Sequence, residues 1–246
     1  MPTYVIGDPH GCSEELRELL RLVGFQRGTD RVVLAGDLID RGPDPLGVIR
    51  LAREIGAEAV LGNHDERMLR WFRREAVEKS TGTKNRMIPP VASRLAQWNT
   101  LGEDDRAWLE ALPLTMEVAP GWLCVHGGFE AIPMGEQKPD KVLRCRYLDP
   151  VSGRMVAFKG ASVEQPEGTV YWTSKWIGPD NVVYGHAVHS LKSPRVDRPV
   201  PGVECWGIDT GCCFGGRLTA LCIETREIVQ VDAREKYADL KREIIE

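Results

Sequence analysis

Seven polar residues with ligand or acid–base chemistry stand where short apolar runs end against glycine. They are Asp8 and His10 in Gly7-Asp8-Pro9-His10-Gly11, Asp37 after Gly36, Asn63 and His64 after Gly62, His126 before Gly127-Gly128, and His186 after Gly185. Glycine lets the backbone turn tightly and approach a ligand closely. One such Asp reads as a turn residue, and one such His as a satisfied core group. Five such places in a single chain are not explained by turns. Asp, Asn and His without thiolate make a donor set of hard oxygens and imidazoles, which suits Mn²⁺, Fe or Zn²⁺ more than a structural cysteine site does. The donors outnumber one tetrahedral shell, so two metals sharing a carboxylate is the natural arrangement. Two ions ~3.5–4 Å apart clamp an in-line displacement at phosphorus and lower the pKa of a bound water. The residues therefore point to metal-assisted phosphoester hydrolysis.

The elements that must carry them read as α/β. Strands are expected at 4–6, 31–35 and 57–61, and helices at 13–23, with Ser13 as cap, and at 45–55, with Pro at its first turn. Each of the three strands ends in glycine and a polar residue, at the carboxyl ends where ligands bind in such sheets. Helices are expected at 66–79, 91–98 and 103–112, so that 66–113 reads as a helical cap insertion in a single domain spanning 1–246. The second half reads as β-rich (114–118, 121–126, 181–184, 203–208, 217–223 and 227–231), with long loops over 131–168 and a last helix over 233–245.

Composition narrows the class. With 42% hydrophobic and 28% charged residues, the chain is globular rather than disordered or fibrous. A net charge of −4 gives no sign of nucleic-acid or membrane binding. No apolar run approaches the ~20 residues of a membrane helix, and the first residues lack the basic and apolar regions of a signal peptide. A cytoplasmic protein is expected. The seven cysteines include no C-x-x-C pair, which favours reduced, buried thiols.

Four ordered motifs, Gly7-Asp8-Pro9-His10-Gly11, Gly36-Asp37-Leu38-Ile39-Asp40-Arg41-Gly42, Gly62-Asn63-His64-Asp65 and His126-Gly127-Gly128, resemble the signature of the calcineurin-like metallophosphoesterases. They resemble in particular the phosphoprotein-phosphatase branch, which includes bacterial diadenosine tetraphosphate hydrolases. Gly207-Ile208-Asp209-Thr210-Gly211 and Gly215-Gly216-Arg217 extend the likeness, which covers residues 3–231. It implies a four-layer α/β/β/α sandwich of two mixed sheets. It also implies two divalent ions, Mn²⁺ foremost with Fe, Zn or Co as alternatives. Asp8 and His10 would hold the first, Asp37 would bridge, and Asn63, His126 and His186 would complete the second. His64, oriented by Asp40, would protonate the leaving oxygen, and Arg41 would bind phosphoryl oxygens, where a guanidinium fork suits the geometry better than Lys. Arg146 is expected as a second phosphate-binding residue, with Arg144 its competitor, and Asp209 as an acceptor that orients a ligand histidine. Asp65 stands where the family usually has Glu. Pro9 and Ala187-Val188-His189 also depart from the pattern, and His189, three residues from His186, is expected to be a non-ligand.

Substrate choice is expected to lie in residues 66–94, which hold eight Lys and Arg against three Glu in a chain that is acidic overall. Positive charge beside the site would concentrate a polyanion. Trp71, Phe72 and Trp98 have helical spacing and read as core packing rather than base-stacking surfaces. The expected substrate is a small nucleotide polyphosphate such as diadenosine tetraphosphate, or a simpler phosphate ester. No membrane, nucleic-acid or obligate protein partner is expected. A phosphoprotein Ser/Thr phosphatase is the alternative, and a nucleic-acid end phosphatase stands behind it for want of a kinase or ligase module. A scaffold that has lost its metals is opposed by the complete ligand set.

Overall fold

The computed structural model describes residues 1–157 and 165–240. Two five-stranded mixed sheets face each other. The first runs in the order β12-β11-β1-β2-β3 and contains β1 (Thr3–Ile6), β2 (Arg31–Leu34), β3 (Glu58–Ala59), β11 (Arg217–Cys222) and β12 (Ile228–Asp232). The second runs β4-β5-β8-β10-β9, from β4 (Thr115–Ala119), β5 (Trp122–Val125), β8 (Asn181–Tyr184), β9 (Arg195–Asp197) and β10 (Cys205–Gly207). β1, β2 and β3 are parallel, as are β5, β8 and β10. Side chains alternate across a strand, and this alternation builds the layers. Val5 and Val33 point between the sheets to meet Val118, Cys124, Val183 and Leu221. Ile6 and Leu34 point the other way, onto α1 (Ser13–Leu22) and α2 (Pro45–Ile55) through Leu16, Leu19, Val48 and Ile49. The outer face of the second sheet is covered by α6 (Pro139–Val142), a ribbon of β6 (Tyr147–Leu148) and β7 (Val170–Tyr171), and the 3₁₀ turn Trp172–Lys175. The architecture is the expected α/β sandwich of two mixed sheets.

Local chemistry sets the element ends. Asp44 caps α2 by accepting from the Gly47 N–H at 2.9 Å, Pro45 occupies its first turn, and Gly56 at φ 73° closes it. Ser13 opens α1 as its first residue, with Cys12 at the cap, and the Ser13 hydroxyl donates to Asp44 at 2.8 Å, tying α1 to α2. The third strand is shorter than expected because the chain turns at Gly62 straight into α3 (Asn63–Thr81). This helix begins three residues earlier than the sequence pattern indicates, so Asn63 and His64 lie in its first turn. α4 (Ala92–Trp98) and α5 (Glu103–Glu110) follow as expected. Residues 131–168, read as loops, hold the turn Met134–Glu136, α6 and β6; 158–164 lie outside the described residues. The expected helix over 233–245 is not formed across 233–240. There the Tyr237 and Ala238 N–H groups donate to the Cys213 carbonyl, at 3.0 and 2.9 Å, instead of to a helical partner. The remainder of that expected helix lies outside the described residues. Among the described residues no helix is long and apolar enough to cross a membrane.

Candidate active site

The carboxyl ends of β1, β2, β3, β5 and β8 converge between the two sheets and bring together all seven polar residues that the sequence singles out. Asp37 sits at the centre. Its Oδ2 lies 3.4 Å from His10 Nε2 and its Oδ1 lies 3.3 Å from His126 Nε2. Asn63 Oδ1 is 3.0 Å from the same His126 nitrogen. The ring centroids of His126 and His186 are 5.0 Å apart, as are those of His10 and His64. Asp8 uses Oδ2 to accept the His186 N–H at 2.8 Å, while its Oδ1 is buried without a hydrogen-bond partner. Two donor groups thus form around the one carboxylate, His10–Asp37–His64 and Asp37–His126–His186.

Backbone geometry makes this convergence possible at some cost. His10, Asp37, Asp40, Arg41 and His186 all have φ between 40° and 69°, a left-handed conformation that L-residues avoid. Such strain costs on the order of 1–3 kcal/mol per residue and clusters at functional sites. Gly62 is needed for a different reason. A Cβ there would overlap the Asp37 backbone and carboxylate.

The protonation pattern tests whether the residues suit a cation. His10 Nδ1 faces the Ile39 carbonyl at 2.8 Å and His126 Nδ1 faces the Ala35 carbonyl at 2.9 Å. A carbonyl only accepts, so each Nδ1 carries a proton and each Nε2 is turned toward Asp37. A neutral imidazole nitrogen and a carboxylate at 3.3–3.4 Å repel unless positive charge lies between or beside them. Metal–ligand bonds of about 2.1 Å leave neighbouring donors ~3 Å apart, close to what is found. Two protein cations meet that need, a guanidinium at His10 and the proton on His126. Arg41 Nη1 lies 2.5 Å from His10 Nε2, and the His10 pKa is depressed by burial and by that guanidinium. Burial also opposes charge on His126, but Asp37 and Asp8 overcome it and raise its pKa to about 9. Burial likewise opposes ionisation of Asp37, and His126, His64 and His10 nonetheless hold its pKa well below the carboxylate range. Asp8 is pushed well above that range by burial and by the nearby Asp209. An unpartnered buried carboxylate oxygen and two imidazole nitrogens aimed at a shared carboxylate are the features of a di-cation site.

His64 reaches the cavity in front of this centre. Its Nδ1 donates to Asp40 Oδ2 at 2.6 Å, and Asp40 is fully buried. Burial raises the Asp40 pKa, but the His64 hydrogen bond and charge, with Arg94 behind them, bring it below the ordinary value. The other Asp40 oxygen accepts from Trp98 Nε1 at 2.6 Å. Trp98, read from the sequence as packing, is thus also the second anchor of the His64–Asp40 pair, a role that helical spacing cannot reveal. Asp65 has an unforeseen role as well. It accepts from the Leu38, Ile39 and Gly62 N–H groups at 3.1–3.3 Å, stapling the loop after β2 to the start of α3. Its pKa is pushed up to about 7 by burial and by Asp37. The only sequence signal was its place after Asn63-His64.

The expected second phosphate-binding position divides. Arg144 lines the cavity and pairs with Glu66 at 2.9 Å. Arg146 instead donates from Nη2 to the His186 carbonyl at 3.2 Å, and burial lowers its pKa. Asp209 Oδ1 accepts the Gly211 N–H at 2.9 Å and so closes its own turn. Its pKa is raised by burial. His189 Nδ1 lies 3.5 Å from Arg195 Nη1, its ring against Tyr171, and it belongs to neither donor group.

The cavity measures about 560 Å³ and is lined by Arg41, Asn63, His64, Arg67, Arg70, Arg74, Arg86, Met87, Ile88, Arg94 and Arg144. Seven guanidinium groups around an imidazole and a paired-metal donor set define the class: a hydrolase acting at phosphorus.

Comparison with known proteins gives the family. Residues 1–198 match the calcineurin-like phosphoesterase model, and the chain belongs to that family, whose enzymes depend on two metal ions. It is a hydrolase of phosphate ester or anhydride bonds. It is 43% identical to a symmetrical bis(5'-nucleosyl)-tetraphosphatase of Proteus mirabilis, over 90% of this chain and 94% of that one. It is 28% identical to an asymmetrical bis(5'-nucleosyl)-tetraphosphatase of Oceanobacillus iheyensis, over 96% of this chain and 94% of the other. A crystal structure provisionally assigned as a diadenosine tetraphosphatase superposes with a TM-score of 0.74 at 28% identity, covering 94% of this chain and 93% of its own. A Saccharomyces cerevisiae Ser/Thr phosphatase shares the fold at a TM-score of 0.57 and 12% identity, covering 96% of this chain and 80% of its own.

Proposed function

We propose that the protein is a two-metal phosphohydrolase whose substrates are dinucleoside polyphosphates, with diadenosine tetraphosphate as the type compound. The observation that carries this reading is the Asp37 carboxylate, one oxygen turned to His10 and the other to His126, beside an arginine-lined cavity. The names of the tetraphosphatase relatives support the substrate class. Asp8, His10 and Asp37 would hold one ion, and Asp37, Asn63, His126 and His186 would hold the other. Mn²⁺ suits these donors, as do Fe, Zn and Co. When bound, the ions supply Lewis acidity toward the phosphoryl oxygens and a water made acidic enough to attack near neutral pH.

The chain's own groups do the rest. Asp40 fixes the His64 ring through Nδ1, which leaves Nε2 to hand a proton to the departing oxygen. Arg41 and Arg144, both in the cavity wall, would turn their guanidinium groups to the phosphoryl oxygens. Arg146 supports the His186 turn from behind. The helices of residues 66–113 act as a cap that carries the arginines over the reacting phosphate. A nucleotide substrate places the activity in the cytoplasm, in keeping with seven free, buried thiols.

The test is one Mn²⁺-reconstituted assay with three substrates: diadenosine tetraphosphate, a phosphopeptide and a 3'-phosphorylated oligonucleotide. The reading expects the highest kcat/KM on the first. A higher value on the phosphopeptide would make the protein a phosphoprotein phosphatase.

A further inference from the structure

Behind the first cavity a second one of about 290 Å³ is lined by Arg70, Arg73, Arg74, Val77, Thr83, Lys84 and Asn85. The two share Arg70 and Arg74, so they adjoin along one face of α3 as a track. Its floor is a single stripe of α3: Asn63, Arg67, Arg70, Arg74 and Val77 recur at helical spacing. At 1.5 Å per residue this stripe spans roughly 20 Å. Nine cationic side chains line the track; among them Arg70 and Arg144 pair with Glu66, Arg94 with Asp40 and Arg73 with Glu110.

Two buried donors in this track have no acceptor. Arg70 Nε, 3.5 Å from Glu66 Oε1, makes no hydrogen bond, and neither does Asn85 Nδ2. The Asn85 amide is oriented by its Oδ1, which accepts the Met87 N–H at 3.0 Å, so the unused group is a donor. Apart from the His64 imidazole, the lining holds no Phe, Tyr or Trp. Trp71 and Phe72 pack against the helical core, and Phe72 is covered by the Arg106 guanidinium at 4.4 Å. Single-stranded nucleic acids are held by charge together with aromatic stacking platforms. Here only the charge is present.

We propose that the track binds the phosphate chain alone, so that inorganic polyphosphate is a substrate and Arg73 and Lys84 form a distal phosphate position. The proposal rests on reading the site as a phosphohydrolase. Chain length, rather than the base, is then what the protein recognises. In each turnover a water oxygen forms a bond to phosphorus and the bridging P–O bond breaks. The departing oxygen takes a proton from His64, and the water gives one up to solvent, which restores the balance.

Binding of tripolyphosphate and of long-chain polyphosphate is measured by calorimetric titration of the metal-stripped chain. Each compound is also tested as a competitor of p-nitrophenyl phosphate hydrolysis by the Mn²⁺-loaded chain. The long chain is expected to bind more tightly, and substitution of Arg73→Ser with Lys84→Ser is expected to weaken it by about 2- to 30-fold, from the range for exposed ion pairs. Tripolyphosphate, which ends before the distal position, should lose about twofold or less on the same scale. Lys84→Glu alone gives the same contrast if the double variant folds poorly. Equal affinity for both lengths, equal losses on both, or equal competition by a single-stranded RNA would overturn the proposal. Length-dependent binding with no phosphate released from polyphosphate, by a Mn²⁺-loaded chain that still hydrolyses p-nitrophenyl phosphate, would also overturn the proposal, whereas a loaded chain inert on every phosphate ester would overturn the catalytic reading on which it rests.

Discussion

Replacing Asp40 with Asn tests the His64 assignment at the atom that orients it. Asp40 is fully buried and uses both oxygens as acceptors, Oδ2 for His64 Nδ1 and Oδ1 for Trp98 Nε1, each at 2.6 Å. Asn keeps the shape but has one acceptor oxygen, so one of the two donors must face an NH₂ group. A buried donor left unsatisfied costs about 1–3 kcal/mol. For a domain of this size, that lowers Tm by about 2–12 °C. If the oxygen stays with Trp98, His64 Nδ1 must become an acceptor, and the ring can no longer carry two protons. If it stays with His64, the indole is orphaned and the side chain loses its second anchor. Either way the proton donor is impaired, and general acid help contributes typically ~10²–10⁴-fold. The kcat for diadenosine tetraphosphate should fall within that range. The kcat for p-nitrophenyl phosphate, whose leaving group hardly needs a proton, should fall much less. Metal content by mass spectrometry should match the parent, because the Asp40 side chain meets His64, Trp98 and Arg94 and none of the six residues proposed as metal ligands. Equal losses on both substrates with both metals retained would refute the reasoning.

Three further outcomes follow from the same geometry. Gly62→Ala should strip metal and activity together, because its Cβ overlaps Asp37; a variant with full metal content would show that Asp37 can move without consequence. His126, raised to about 9, is protonated in the metal-free chain near neutral pH, so metal uptake must release its proton. Affinity should therefore climb with pH until about 9, with proton release visible by calorimetry in buffers of different ionisation enthalpy. The sign for stability is opposite. A raised histidine pKa stabilises the metal-free fold fully below about 6.5, and that contribution is lost as pH rises toward 9. Rising ionic strength should increase KM for a dinucleoside polyphosphate more than for p-nitrophenyl phosphate, since several exposed arginines act together over a screening length of ~8 Å; parallel increases would mean the arginines serve only as solvated surface.

The site was legible because its residues are local in sequence. Each strand announces itself by an apolar run, and glycine beside Asp, Asn or His marks its end. The five strand ends then meet through the sheet order β12-β11-β1-β2-β3 facing β4-β5-β8-β10-β9. Contacts between distant elements left no such mark. Trp98 looks like any apolar helix residue until its indole N–H is found on Asp40, 58 residues away. Asp65 differs from its neighbours only in which backbone N–H groups lie within reach. The tail pattern over 233–240 does suit a helix, but the Cys213 carbonyl takes two of its N–H groups and Glu15 takes the Tyr237 hydroxyl at 2.8 Å. Tertiary partners there outweigh local propensity. The Arg144 and Arg146 positions alternate along the chain, and only the packing of α3 against that loop decides which one faces the cavity.

The most direct measurement is a metal titration of the stripped chain, with bound metal counted per protein and hydrolysis of diadenosine tetraphosphate followed in the same samples. Activity should be absent without metal, should return on adding Mn²⁺, and should be complete only when two ions are bound per chain. In Asp37→Asn both binding and recovery should be lost together. Undiminished hydrolysis by the stripped chain, or full recovery with a single ion bound, would contradict the account.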